Sequence, residues 1–121
     1  MTVKEVAELL LNLCPELEGL VSCGFINKGK EKAIGLYERS GVVRQCYGAS
    51  SYQPKSLTIL IHWTKSSDNC ERTAQNIAEK LNKYDYGNGW IEVTTPPIDV
   101  GRDENEIFER TINITIYHKE A

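Results

Sequence analysis

The chain has no long apolar run: nowhere in its 121 residues is there anything near the ~18–20 consecutive apolar residues that cross a bilayer. Nor does it have a secretory leader's continuous apolar core, because Glu5 and Glu8 interrupt the opening stretch MTVKEVAELLLNLC. The protein is therefore expected to be made in a cytoplasm and to stay there, with no membrane partner. Basic excess is missing too. Fourteen Lys and Arg stand against seventeen Asp and Glu, a net charge of −3, which opposes a dedicated nucleic-acid binder but not a protein that DNA passes without being gripped. The four cysteines, Cys14, Cys23, Cys46 and Cys70, contain no Cys-x-x-Cys pair. Their wide spacing argues against a zinc site with His62 or His118, and they are expected to be free, partly buried thiols. No nucleophile elbow, His-Glu-x-x-His, dinucleotide glycine pattern or phosphate-binding loop is present. The lysines around Gly29 read as a solvated turn. Nothing requires an enzyme, a cofactor or a metal.

What is present is an ordinary globular composition, 40% hydrophobic and 26% charged, enough for one core and one domain spanning residues 1–121. Its organising stretch is the last third. From Phe108 onward the residues alternate: Phe108, Ile112, Ile114 and Ile116 share one face, with Arg110 the only polar residue among them. Glu109, Thr111, Asn113, Thr115 and Tyr117 share the other, which needs water or another subunit to cover it. That period of two predicts a half-buried strand. Trp90–Thr95 predicts a second strand, ended by Pro96-Pro97 because proline has no N–H for a ladder. Between them lies a charged loop in which Gly101 permits a backbone conformation other residues resist.

Upstream, Thr2 with Glu5 forms a capping-box pattern for a helix ending near Leu13, before Pro15. Its stripe Val3, Val6, Leu9, Leu10 and Leu13 is expected to pack on a sheet. A short strand within Leu20–Ile26 and a return strand over Lys32–Glu38 predict a hairpin. Ser40–Ser56 reads as a long exposed excursion, with a short strand possible near Val42–Cys46. Ser56–Thr64 is the most apolar strand; Leu57, Ile59, Ile61 and Trp63 share a face, and a central position is expected. His62 on its other face is read as structural rather than catalytic. A second helix, capped by Ser67 or Asp68, carries Cys70, Thr73, Ala74, Ile77, Ala78, Leu81 and Tyr84 inward and breaks at Gly87-Asn88-Gly89. The order predicts an α+β fold: an antiparallel or mixed β-sheet of four to five strands with two helices packed on one face.

Asp99, Asp103, Glu104, Glu106 and Glu109 form the densest acidic group, with Arg102 and Arg110 among them as partners. Their spacing is not that of a calcium loop, so a solvated or subunit-contacting loop is the preferred reading.

Four segments in order carry a resemblance: Ile34-Gly35-Leu36-Tyr37; Tyr52-Gln53 leading into Ile59-Leu60-Ile61-His62-Trp63; the helix from Asp68; and Pro96-Pro97-Ile98-Asp99-Val100-Gly101-Arg102-Asp103-Glu104 before Phe108-Glu109-Arg110. From about Ile34 to Tyr117 the chain resembles a family of small phage proteins, often labelled minor capsid proteins, that are similar to the tail terminators of long-tailed phages. Glu106 departs from the pattern, where a small residue or glycine is expected. The resemblance implies a structural subunit that forms a six-fold ring on the tail tube and docks to the head connector, at the tail–head junction of the virion. The ring would be assembled in the bacterial host cytoplasm, and the genome would pass its lumen unread. Its implied partners are further copies of itself, the tail tube protein and the head completion protein. Ring subunits meet through two different surfaces, and Asp99, Arg102, Asp103, Glu104 and Arg110 are the expected subunit or tube contacts. Two other classes fit the composition: a small ligand-binding or regulatory α+β domain with Trp63 and Tyr52 lining a pocket, and an enzyme using the acidic loop with a metal.

Overall fold

The first helix starts where Thr2 stops the extended chain. In the computed structural model, which describes residues 2–27, 29, 31–39 and 52–119, Thr2 Oγ1 accepts the Glu5 N–H at 3.2 Å while Glu5 Oε1 accepts the Thr2 N–H at 3.4 Å. This reciprocal cap satisfies donors that the first turn leaves without partners. The helix, α1, runs Val3–Leu13 and buries Val6, Ala7 and Leu10. Pro15 opens a 3₁₀ turn, Pro15–Leu17, that drops Leu17 into the core.

Strands β1 (Val21–Cys23), β2 (Lys32–Arg39), β3 (Tyr52–Trp63), β4 (Tyr84–Asp85), β5 (Gly89–Arg102) and β6 (Phe108–Lys119) form one sheet in the order β1-β2-β3-β6-β5-β4. Helix α2, Ser67–Leu81, lies between β3 and β4 in sequence. Both helices cover the same face, α1 over β1 and β2, α2 over β3, β6 and β5. Beneath them Ile34, Leu36, Leu57, Ile59, Ile61, Ile112, Ile114 and Ile116 are fully buried. The expected α+β class and single helical face hold, and the sheet is mixed, with six strands rather than four to five.

Four differences from expectation have physical causes. First, β1 and β2 are parallel, not a hairpin: Val21 lies beside Ile34 and Cys23 beside Leu36. After β1 the chain turns at Gly24 (φ +80°) and doubles back across the helix-free face. A side chain at Gly35 would come within 2.8 Å of the Phe25 carbonyl oxygen, so the glycine makes room for this crossing. Second, the sixth strand, β4, is two residues long and has no period to detect. Tyr84 leaves the helical stripe because α2 stops at Leu81 and Lys83 turns the chain at φ +62°. Gly87-Asn88-Gly89 then turns a hairpin instead of breaking a helix, and Tyr117's carbonyl oxygen occupies the space a Gly89 side chain would need.

Third, Pro96-Pro97 does not end β5. Thr95 pairs with Asn113 and Ile98 with Thr111, so β5 fits one extra residue there as a bulge. β4 pairs only with Trp90 and Ile91, which leaves this part of β5 at the sheet edge, where a missing N–H costs no ladder bond. Fourth, Thr115 is 8% exposed rather than facing water, because β6 is flanked on both sides and Glu92 and Ser56 stand beside it. The expected excursion lies outside the described residues up to Ser51, as does the strand near Val42–Cys46, while Tyr52–Ser56 already belong to β3. The cap of α2 is Ser66, whose Oγ accepts the Asn69 N–H at 3.3 Å, just before the expected Ser67 or Asp68.

The facing of β6 is directly testable. Ile114→Asp buries a charge among Leu57, Val93 and the helices and should unfold the domain, since such a charge costs several kcal/mol against a total of about 5–15. Thr111→Asp, on the partly open opposite face beside Leu60 and Ile98, should retain a cooperative melt. Equal circular-dichroism melts for the two variants would contradict this facing.

Candidate functional site

The β5–β6 hairpin gathers the charged residues, and its tip is held by its own backbone. Asp103 Oδ1 accepts the N–H groups of Asn105 at 2.8 Å and Ile107 at 3.0 Å, and the Asp103 N–H donates to the Ile107 carbonyl at 3.0 Å. One turn earlier, Asp99 Oδ1 accepts the Gly101 N–H at 2.9 Å, with Gly101 at φ +100°. Short side-chain bonds of this kind fix a turn's shape. Ile107, 6% exposed, tucks the tip against the body.

A second set of contacts ties the hairpin to β3. His62 is fully buried, directly opposite Glu109 in register, with its Nδ1 3.4 Å from Glu109 Oε2 and 3.7 Å from Asp103 Oδ2. A carboxylate can only accept, so Nδ1 is the donor toward Glu109. Beside it the Phe108 N–H donates to the Thr64 carbonyl at 3.0 Å. These contacts tie the β3 end to the hairpin base.

The acidic group is thus divided. Asp103, its side chain 4% exposed, and Glu109 turn inward toward His62. Asp99, Arg102 and Glu104 face outward, and the Arg102 guanidinium lies 5.8 Å from the centre of the Phe108 ring. Arg110 stands opposite Asp99 in the ladder, both on the helical side, with Asp99 exposed and the Arg110 side chain 15% exposed and 4.0 Å from Glu71 of α2. Among the described residues no group of three or more His, Cys, Asp or Glu is placed to hold a metal ion. Sequence reasoning missed the carboxylate partners of His62. Its one available signal was that His62 and Glu109 both fall on the polar faces of their strands.

The described cysteines are free thiols, Cys14 and Cys70 buried as expected and Cys23 exposed instead. Burial pushes Cys70 up to about 11, and its Sγ donates to the Phe108 carbonyl at 3.5 Å. Burial raises Cys14 as well. Trp63 is 8% exposed, with the Lys32 ammonium 5.0 Å over its ring, and Tyr52 sits at the opposite end of β3. A cleft of about 240 Å³ opens elsewhere, between α2 and β5, bordered by Ala78, Glu79, Asn82, Val93, Pro96 and Pro97.

The hairpin is thus braced from within, with Asp99, Arg102 and Glu104 exposed on it. Residues 14–118 match the family described as bacteriophage tail terminator protein, and the chain belongs to that family. The family is one of structural tail-completion proteins, virion components that work with other tail or head proteins. No curated protein matches the chain. A solved structure is similar at 15% identity, over 98% of this chain and 89% of that one, with a TM-score of 0.48, too remote to bear on fold or function.

The internal brace and the departure at Glu106 each generate a test. His62→Leu leaves two buried carboxylates facing an apolar group and should cost about 2–4 kcal/mol. Adding Glu109→Gln should recover part of that loss, and a double-mutant cycle of melts measures it. Glu106 sits at φ +64°, the left-handed region that glycine enters without penalty. Glu106→Gly should therefore raise stability by about 0.5–1 kcal/mol, despite glycine's freer unfolded chain. A lower melting temperature for Glu106→Gly would count against strain at this turn.

Proposed function

We propose that copies of this chain close into a six-fold ring on the end of the tail tube, stop its polymerisation and offer the opposite face to the head connector. The observation that carries this reading is the outward trio Asp99, Arg102 and Glu104 on a stiff hairpin, in a chain of the tail terminator family. Fixed charges on a rigid support favour register and partner choice over raw affinity. In this reading the trio meets the next subunit or the tube, Arg110 holds the hairpin to α2 within reach of the same surface, and Asp103 serves the contact by shaping the tip. The net charge of −3 suits a lumen that lets the genome through without binding its sequence.

Reversing the exposed charges tests the reading. Arg102→Glu or Glu104→Lys should change stability by no more than about 0.5 kcal/mol, as surface charges usually do. Assembly should fail, because a like-charge encounter costs several kcal/mol and recurs at each joint. Complementing a terminator-deficient phage with each variant should then give overlong tails or tails that do not join heads, with infectious titre falling accordingly. Normal tails and titre from folded variants would reduce the hairpin to a structural turn.

A further inference from the structure

On the helix-free face of the sheet, two rows of residues run straight across β2, β3, β6 and β5. In the first, Gly35, Leu60, Thr111 and Ile98 stand side by side. Its ends carry two of the exposed large hydrophobic side chains among the described residues. Phe25, 58% exposed, belongs to the segment that passes over Gly35, and Ile98 is 47% exposed. In the second row Arg39, Ser56, Thr115 and Glu92 follow the same strands. Arg39 and Glu92 are both exposed, so this row is basic at its β2 end and acidic at its β5 end. Between the two rows Tyr37, Thr58 and Asn113 add no charge. Exposed apolar groups on a face that both helices leave open mark a contact surface.

The order within the rows selects the occupant. A two-fold axis lying between two such faces, parallel to their strands, reverses each row and leaves its height along the strands unchanged. The β2 strand of one copy then lies over β5 of the other. Arg39 meets Glu92 and Phe25 meets Ile98, each twice, as a self-complementary interface requires. Packed sheets keep their strands within about 30° of each other, so the rows stay in step. We propose that two copies of this chain pair through their helix-free faces about such an axis. Arg39 makes no ion pair among the described residues, so its charge is available to the second copy.

The size of the surface sets the strength of the pair. Three strand spacings span about 14 Å, and the stretch from Pro54 to Leu60 about 20 Å. That footprint is well below the roughly 800 Å² per partner of a standard interface, so the pair is weak and concentration-dependent. It does not rest on the ring reading: a ring joins two unlike surfaces, whereas this contact uses one surface twice and is complete at two copies.

Sedimentation equilibrium of the full chain, from about 1 μM to about 1 mM, should show monomers giving way to pairs. Arg39→Glu should melt like the parent yet need at least about tenfold more protein to pair, because like charges then meet at both contacts. Glu92→Arg should do the same. An equimolar mixture of the two variants should pair as well as the parent, since opposite charges face each other again. Glu92 also accepts the Trp90 indole N–H at 3.3 Å, so if Glu92→Arg melts lower, Arg39→Glu alone decides. A parent that stays monomeric at about 1 mM, or Arg39→Glu pairing at the parent's concentration, would overturn the inference. Larger multimers indifferent to Arg39→Glu would also overturn it while leaving the ring standing. Pairs that respond to the charge swap, with no rings on tail tubes, would uphold this surface and remove the ring.

Discussion

The pairing of β3 with β6 is the constraint on which everything else rests. Eleven consecutive positions, Tyr52 against Lys119 through His62 against Glu109, lie in unbroken antiparallel register. That register puts Leu57, Ile59 and Ile61 beside Ile114, Ile112 and Arg110 on the helical face. A slip of one residue would turn the isoleucines outward and the threonines in, so burial enforces the register strongly. The same register sets His62 opposite Glu109. The apolar core and the buried polar brace are therefore consequences of one alignment, on the two faces of the same pair of strands.

Around that pair the sheet grows outward with less help from sequence pattern. α1 was legible because its cap and stripe are local: Thr2, Glu5 and Pro15 act within a few residues of one another. β3 and β6 were legible because their alternation runs for many residues. The parallel β1–β2 pair was not, since the decisive feature is the packing of Phe25 over Gly35, a contact across the sheet face. The prolines misled for a related reason. Proline forbids a ladder bond only where a neighbour is waiting for one, and whether β5 has a neighbour there depends on the length of β4. At the site, the outward charges of Arg102 and Glu104 follow from turn chemistry close by. The inward turn of Asp103 also depends on His62, more than forty residues earlier in the chain, and no local rule points to it.

Stiffness and exposure are divided between different residues of one hairpin. Asp103 and Glu109 are used internally, while Asp99, Arg102 and Glu104 remain available to partners. A tail-completion protein must present a surface of defined shape to its partners, and a floppy loop would lose that surface to conformational entropy on every contact. The hairpin avoids most of that loss by being ordered before contact is made.

The two prolines of β5 have a further effect before any partner arrives. An uncovered strand edge is a template on which identical chains can stack without limit. Along Pro96-Pro97 the edge lacks consecutive donors, and the bulge at the same point disturbs its straightness. Open-ended stacking of strands is thereby made slow relative to docking through side chains. An edge blunted in this way keeps its surface for contacts made by side chains rather than by backbone pairing.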